Sequence, residues 1–229
     1  MLWRFLALTF AASLFVAIKL PNVQIRKHSK QASEEYLRQL SAVEYNHDGA
    51  FLICVDSPID TKYVINHRRV RIGQGGEDFR KATRFLLNFD MMNDKIRGGL
   101  AWADVVRLPE DSTRDVRVGD VVGTLVNCYK LIWSLNPCRI TCVGEYKVSG
   151  GIGAQIAFST IQGHLLEGEE RFRVFMDAVD GQVFFDMKSY SRGHGIIGAV
   201  GFPFVMPLQK KFFDALERSF LNLMRTGCN

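Results

Sequence analysis

His164, Glu167, Glu169 and Glu170 fall close together in the run Thr-Ile-Gln-Gly-His-Leu-Leu-Glu-Gly-Glu-Glu-Arg-Phe at 160–172, set between two strand-like apolar stretches. Gly163 and Gly168 predict a hairpin turn that crowds the four at its tip, where like charges are costly unless a cation, hydrogen bonds or a ligand compensates. Glu169 or Glu170 with His164 could form a general acid/base pair, and Tyr190 or Arg192 could polarise a carbonyl. His164, Glu167 and Glu169 include enough ligand types for a metal, but a hairpin does not fix them on one face as a His-Glu-x-x-His helix does, so no metal site is expected. The structural reading is stronger: carboxylates that accept backbone amides or the Arg192 guanidinium would give the same sequence.

A second cluster lies on the stretch 63–72. Period-two alternation puts His67, Arg69 and Arg71 on one face and Asn66, Arg68, Val70 and Ile72 on the other. The resulting basic ridge could receive an anionic headgroup or pair with the acids at 167–170; solvated edge-strand charge explains it equally well. Gly73-x-Gly75-Gly76 then leads into a helix, but Glu77 and Asp78 in the first turn already answer the helix dipole and would repel phosphate. No cofactor is expected. The candidate ligand-binding residues are therefore His164, Glu167, Glu169, Glu170, Tyr190, Arg192, His67 and Arg69, with no catalytic residue assigned.

These segments carry a resemblance. The run 160–172, Gln182-Val183-Phe184-Phe185, Ser189-Tyr190-Ser191-Arg192, Gly201-Phe202-Pro203-Phe204-Val205-Met206 and Gln209-Lys210 resemble the DUF1990 family, a domain of unknown function in bacteria and plants. Asn66-His67-x-Arg69-Val70-x-Ile72-Gly73 fits the same pattern, and the likeness covers roughly 63–224. Plant relatives are associated with the plastid outer envelope, one of them described as a pore, so the resemblance implies an envelope channel as one alternative function.

The elements that must position these residues read as α+β. A strand over 63–72 precedes a helix over 77–89, whose Phe79, Ala82, Phe85, Leu86 and Phe89 recur at helical spacing. Strands are expected at 103–108, 117–133, 138–147, 154–162, 170–177 and 182–190, with a break near Asn127. Gly193 to Leu208 has no formal charge and is too broken by Gly and Pro for a membrane-spanning helix; a lid over a cavity or the entry turn of the last helix would fit. From Pro203 onward, Val205, Leu208, Phe212, Leu216, Phe220 and Leu223 form one apolar face. The order predicts a curved antiparallel sheet gripping a long C-terminal helix, which resembles the helix-grip, START-like domains, preceded by an N-terminal hydrophobic helix.

Three segments are expected: 1–33 as an anchor or signal with a basic flank, 34–62 as a tether with a short helix, and 63–226 as the folded domain. The uncharged run Phe5 to Ile18 falls short of a comfortable span, and Lys19, Arg26, Lys27 and Lys30 behind it favour an uncleaved anchor with the domain in the cytosol. A cleaved signal leading to secretion and an organelle presequence are the alternatives. With five of the 29 basic residues in 1–33, the other 24 balance all 24 acids, so the domain is neutral and nucleic acid is not an expected partner. Five cysteines without a Cys-x-x-Cys pair suggest reduced, mostly buried thiols and a reducing compartment. Seventeen Phe residues could line a pocket or fill a solid core. The function these readings favour is a membrane-tethered module that binds an apolar or lipid-like small molecule between sheet and last helix; a pore and an acid/base enzyme using His164, Glu169 and Tyr190 are the alternatives.

Overall fold

The computed structural model describes residues 22–92, 102–108, 114–148 and 150–226. The uncharged run 5–18, expected as the anchor, lies outside them. The described chain starts in β1 (Val23–Gln24) and α1 (Lys30–Gln39), then forms β2 (Val64–Gln74), α2 (Gly75–Leu87), β3 (Ala103–Arg107), β4 (Val121–Cys128), β5 (Ile132–Val148), β6 (Gly151–Thr160), β7 (Leu166–Asp177), β8 (Gln182–Gly193) and α3 (Gly195–Thr226). The sheet runs β2-β8-β7-β6-β5-β4-β3 with every neighbour antiparallel, and β1 pairs with the first part of β5. The sheet is curved, and the long C-terminal helix is gripped against its concave face.

Alternation explains the layers. On β7, Phe172 and Val174 point inward with Phe185 and Met187 of β8, while Glu169, Arg171 and Arg173 point outward. α2 and α3 cover the inward side. Phe85 and Phe220 meet there, with Phe220 stacked 4.2 Å from Phe185, in a core that also holds Leu216 and Leu223. Arg68, on the inward face of β2, pairs with Asp214 and Glu217 and ties the edge strand to α3.

The outward face is covered as well, by the segment expected to be a tether. Leu37 of α1 is fully buried with Leu108, Val121 and Ile161, and the 3-10 turn Leu52–Val55 buries Ile53 against Ala157 and Tyr190. Ser29 caps α1 by accepting from the Ala32 N–H at 3.1 Å. The folded unit thus begins well before Tyr63. A further correction concerns the thiols: Cys54 of this strap forms a disulfide with Cys142 of β5, whereas Cys128 and Cys138 are free. The partners stand 88 residues apart, a separation that no local spacing advertises.

Several strand bounds also shift. The stretch 117–133 breaks at Tyr129 and Lys130, which both take left-handed backbone, whereas Asn127 pairs regularly with Trp133. β5, β7 and β8 run longer than expected because 132–137 pairs with β4, and 166–169 of β7 pairs with 190–193 of β8. Gly193 of the uncharged stretch ends β8, and from Gly195 on the stretch is helical and forms the first half of α3, with Pro203 and Pro207 inside the helix. Each proline removes one helical hydrogen bond, and the Tyr129 hydroxyl donates to the Phe204 carbonyl at 2.7 Å in that turn. Glycine is required where the helix starts: a Cβ on Gly198 would lie 2.2 Å from the Leu165 carbonyl oxygen.

Candidate functional site

Between the concave face and the first half of α3 lies a cavity of about 240 Å³. Its walls are chiefly apolar: Trp102, Val105, Val126 and Phe158 from the sheet side, and Val205, Leu208 and Phe212 from the helix. Thr124, Ser134 and Asn136 of β4 and β5 also line it, with the Ser134 hydroxyl donating to Asn136 Oδ1 at 3.0 Å, and a separate polar patch is formed by Glu170, Ser189, Ser191, Gln209 and Cys138. β7 and β8 build it through register, since Glu170 faces Ser189 across the ladder and Gln209 of α3 closes over them, its Nε2 donating to Ser191 Oγ at 2.8 Å.

The patch is under-satisfied. Ser189 Oγ and Gln209 Oε1 are buried without a protein partner. The Glu170 carboxyl makes no hydrogen bond or ion pair to any described residue, and desolvation raises its pKa to about 8. Glu170 keeps some accessible surface, but it lines the cavity rather than an outer face. Burial and the charge of Glu170 together push the Cys138 thiol far up. His164 also borders the cavity; burial lowers its pKa to about 4, so the ring is neutral near pH 7, with Nδ1 accepting from the Leu166 N–H at 2.9 Å.

The other sequence candidates do not gather at one hairpin tip. The turn proper spans 161–165, and the three glutamates lie on β7 pointing to opposite faces of the sheet. Glu169 points outward and holds the strap, accepting from Phe51 N at 2.7 Å, Ile53 N at 2.9 Å and the Tyr190 hydroxyl at 2.8 Å. Desolvation still raises its pKa, against these bonds, and the Tyr190 hydroxyl is pushed up by burial and by Glu169. Glu167 pairs with Arg192 and accepts from His194 Nδ1 at 2.9 Å; burial alone would raise its pKa, but the two donors lower it. The acid/base trio of His164, Glu169 and Tyr190 is therefore not assembled as one site.

His67 and Arg69 lie apart, on the outward face of β2. His67 bonds Asp186 at 2.8 Å and Arg69 stacks over Phe184, so neither reaches the acids at 167–170. They border a shallow cleft whose Arg171 and Arg173 are engaged by Asp56, which they hold at a pKa of about 2 despite burial acting the other way. Among the described residues no group of three or more His, Cys, Asp or Glu side chains is placed to hold a metal, and no helix is long and apolar enough to cross a membrane.

Sequence reasoning passed over Ser189, Ser191 and Gln209. A signal existed: on β8 the inward set Phe185 and Met187 continues at period two to Ser189 and Ser191, placing hydroxyls where apolar side chains are the rule.

A UPF0548 protein of Arabidopsis thaliana is 32% identical over 162 residues, covering 69% of this chain and 72% of the relative. A UPF0548 protein of Deinococcus radiodurans is 32% identical over 133 residues, covering 54% of this chain and 60% of the relative. Among solved structures, Ara h 8.0201 is similar at a TM-score of 0.46 and 10% identity, covering 72% of this chain and 99% of that one. A START superfamily protein from Mycobacterium smegmatis gives a TM-score of 0.43 at 8% identity, covering 70% and 97% of the two chains. Human STARD10 gives 0.41 at 8%, covering 86% and 82%. At these scores the structural likenesses carry no statement about ligands. The family model described as a domain of unknown function, DUF1990, matches residues 45–219, taking in the strap as well as the sheet and helices, and the chain belongs to that family.

Proposed function

We propose that this protein binds an apolar or lipid-like small molecule between its sheet and its C-terminal helix. The observation that carries this reading is the cavity itself, a chiefly apolar chamber with an under-satisfied polar patch against the concave face of the sheet. A pore receives less support, because the sheet is open, ending at β2 and β3, and among the described residues helices pack on its concave face and the strap on part of the other. The test is titration of the full chain with a neutral fluorophore that brightens in apolar surroundings. Saturable binding is expected, with loss in a Val126→Trp variant that fills the chamber while leaving the outward face untouched. No binding by the native chain, or equal binding by the filled variant, overturns the reading.

The uncharged run at 5–18 and its basic flank serve in this proposal as a membrane tether. Two features oppose each other on sidedness: the flanking Lys and Arg favour the cytosolic side, while a disulfide between Cys54 and Cys142 favours an oxidising one. Protease added to sealed vesicles is expected to digest the domain if charge decides. Full protection reverses that topology.

A further inference from the structure

The polar patch also bears on what the ligand carries, an inference that rests on the cavity-binding reading and deepens it. No Lys or Arg lines the cavity among the described residues, and the one lining histidine is neutral. An anionic head group would therefore enter a largely apolar site with no cation to receive it. What the site does hold is a carboxyl without a counter-charge. Ser189 Oγ and Gln209 Oε1 stand by as further acceptors, and neither has a partner within the protein.

We infer that the ligand is an amphipathic amine, its protonated amino group seated on Glu170, Ser189 and Gln209 and its apolar body lying against Phe158, Val205 and Phe212. An ammonium has three donors and no acceptor, which matches a set of acceptor groups; a hydroxyl brings a single donor. The Gln209 amide can present its oxygen without loss, because the Ser191 hydroxyl accepts from Nε2 in that orientation. Glu170 stands opposite Phe158 of β6 and Ser189 of β8 across the ladders, its charge reaches the Cys138 thiol of β5, and Gln209 and Phe212 of α3 line the same cavity; none of these is charged near neutral pH. Glu169 borders the cavity too, but its carboxylate is committed to the strap amides and Tyr190.

The raised pKa of Glu170 gives the proposal its own readout. Near pH 7 the carboxyl of the free protein is mostly protonated, and a docked ammonium favours the carboxylate, so binding should expel close to one proton. The experiment titrates the full chain with dodecylamine, dodecanol and dodecanoate, each displacing a neutral fluorophore, with calorimetry in buffers of different ionisation enthalpy. Dodecylamine is expected to bind about tenfold or more tightly than dodecanol, the margin of a charge-assisted hydrogen bond, with dodecanoate weakest. Glu170→Gln should bring the amine down to the alcohol's level and abolish proton release, leaving dodecanol within about twofold. Amine binding without proton release, or a preference that survives Glu170→Gln, overturns the inference; should that variant fail to fold, proton release by the native chain decides. If all three compounds bind alike, the amine falls and the cavity reading stands. If none binds, both fall.

Discussion

At the scale of single residues, Glu170 is held in the protonated form by its surroundings, and that has a thermodynamic cost. Its pKa rises from 4.5 to about 8 on folding, so between these values the folded chain binds more protons than the unfolded one, and stability falls as pH rises through that window. Glu170→Gln removes the titration. The variant should match the native protein at pH 5 and exceed it by on the order of 2 kcal/mol at pH 8.5, a figure discounted for hydration of the cavity, as read from urea unfolding at the two pH values. Glu167 has the opposite sign, because its lowered pKa adds stability above its unfolded pKa that is lost as pH falls. Its donor Arg192 also lies over the Tyr63 ring at 5.2 Å. Arg192→Ala should therefore lower stability by about 1–2 kcal/mol, part of the full value of a charged hydrogen bond because the guanidinium is partly exposed. Arg225→Ala, on the exposed last turn of α3, should change little. The Arg192 pairing was legible in the sequence, since clustered carboxylates on one strand invite a guanidinium from the next. Which way each glutamate faces was not, because that depends on where β7 starts, and the glycine at 168 suggested a turn where the chain in fact runs as a strand at φ +144°.

Among the elements, the regular ones could be read and the strap could not. The helix predicted over 77–89 forms at 75–87, and the strand over 182–190 forms at 182–193, because each carries an apolar period facing one core, on the strand through Val183, Phe185 and Met187. Residues 45–60 have no such period. They are held by other means: backbone amides on Glu169, the Ile53 and Cys54 carbonyls and Asp56 on Arg171 and Arg173, and the bond from Cys54 to Cys142. Every one of these contacts joins residues that are far apart in sequence, so none has a local signature. Cys54→Ser should cost about 2–4 kcal/mol, as expected for opening a long loop, and native protein treated with an alkylating agent should leave Cys54 and Cys142 unmodified until a reductant is added. Modification of both without reductant would show that the strap is held by its hydrogen bonds and ion pairs alone.

Considered as a whole, the molecule divides its inner space between a solid core and a chamber, and α3 runs through both. Phe220 belongs to the first: it is fully buried, stacked on Phe185 and in edge contact with Phe85. Phe212, two turns earlier on the same face, belongs to the second, with its ring against Trp102 and the cavity on its other side. The sequence placed both on one apolar stripe and could not separate them, because helical periodicity gives direction and says nothing of how densely the opposite wall is filled. The two truncations should differ accordingly. Phe220→Ala opens a cavity in packed surroundings and should cost about 3–5 kcal/mol. Phe212→Ala removes a ring that already lacks neighbours on one side, so its loss should be smaller, about 1–2 kcal/mol, while the chamber widens and admits a bulkier neutral fluorophore than the native protein accepts. Unfolding and probe binding measured on both variants check this together. Equal losses with no change in probe size would mean that the chamber closes around the missing ring, and that α3 settles onto the sheet instead of standing off it to hold a ligand.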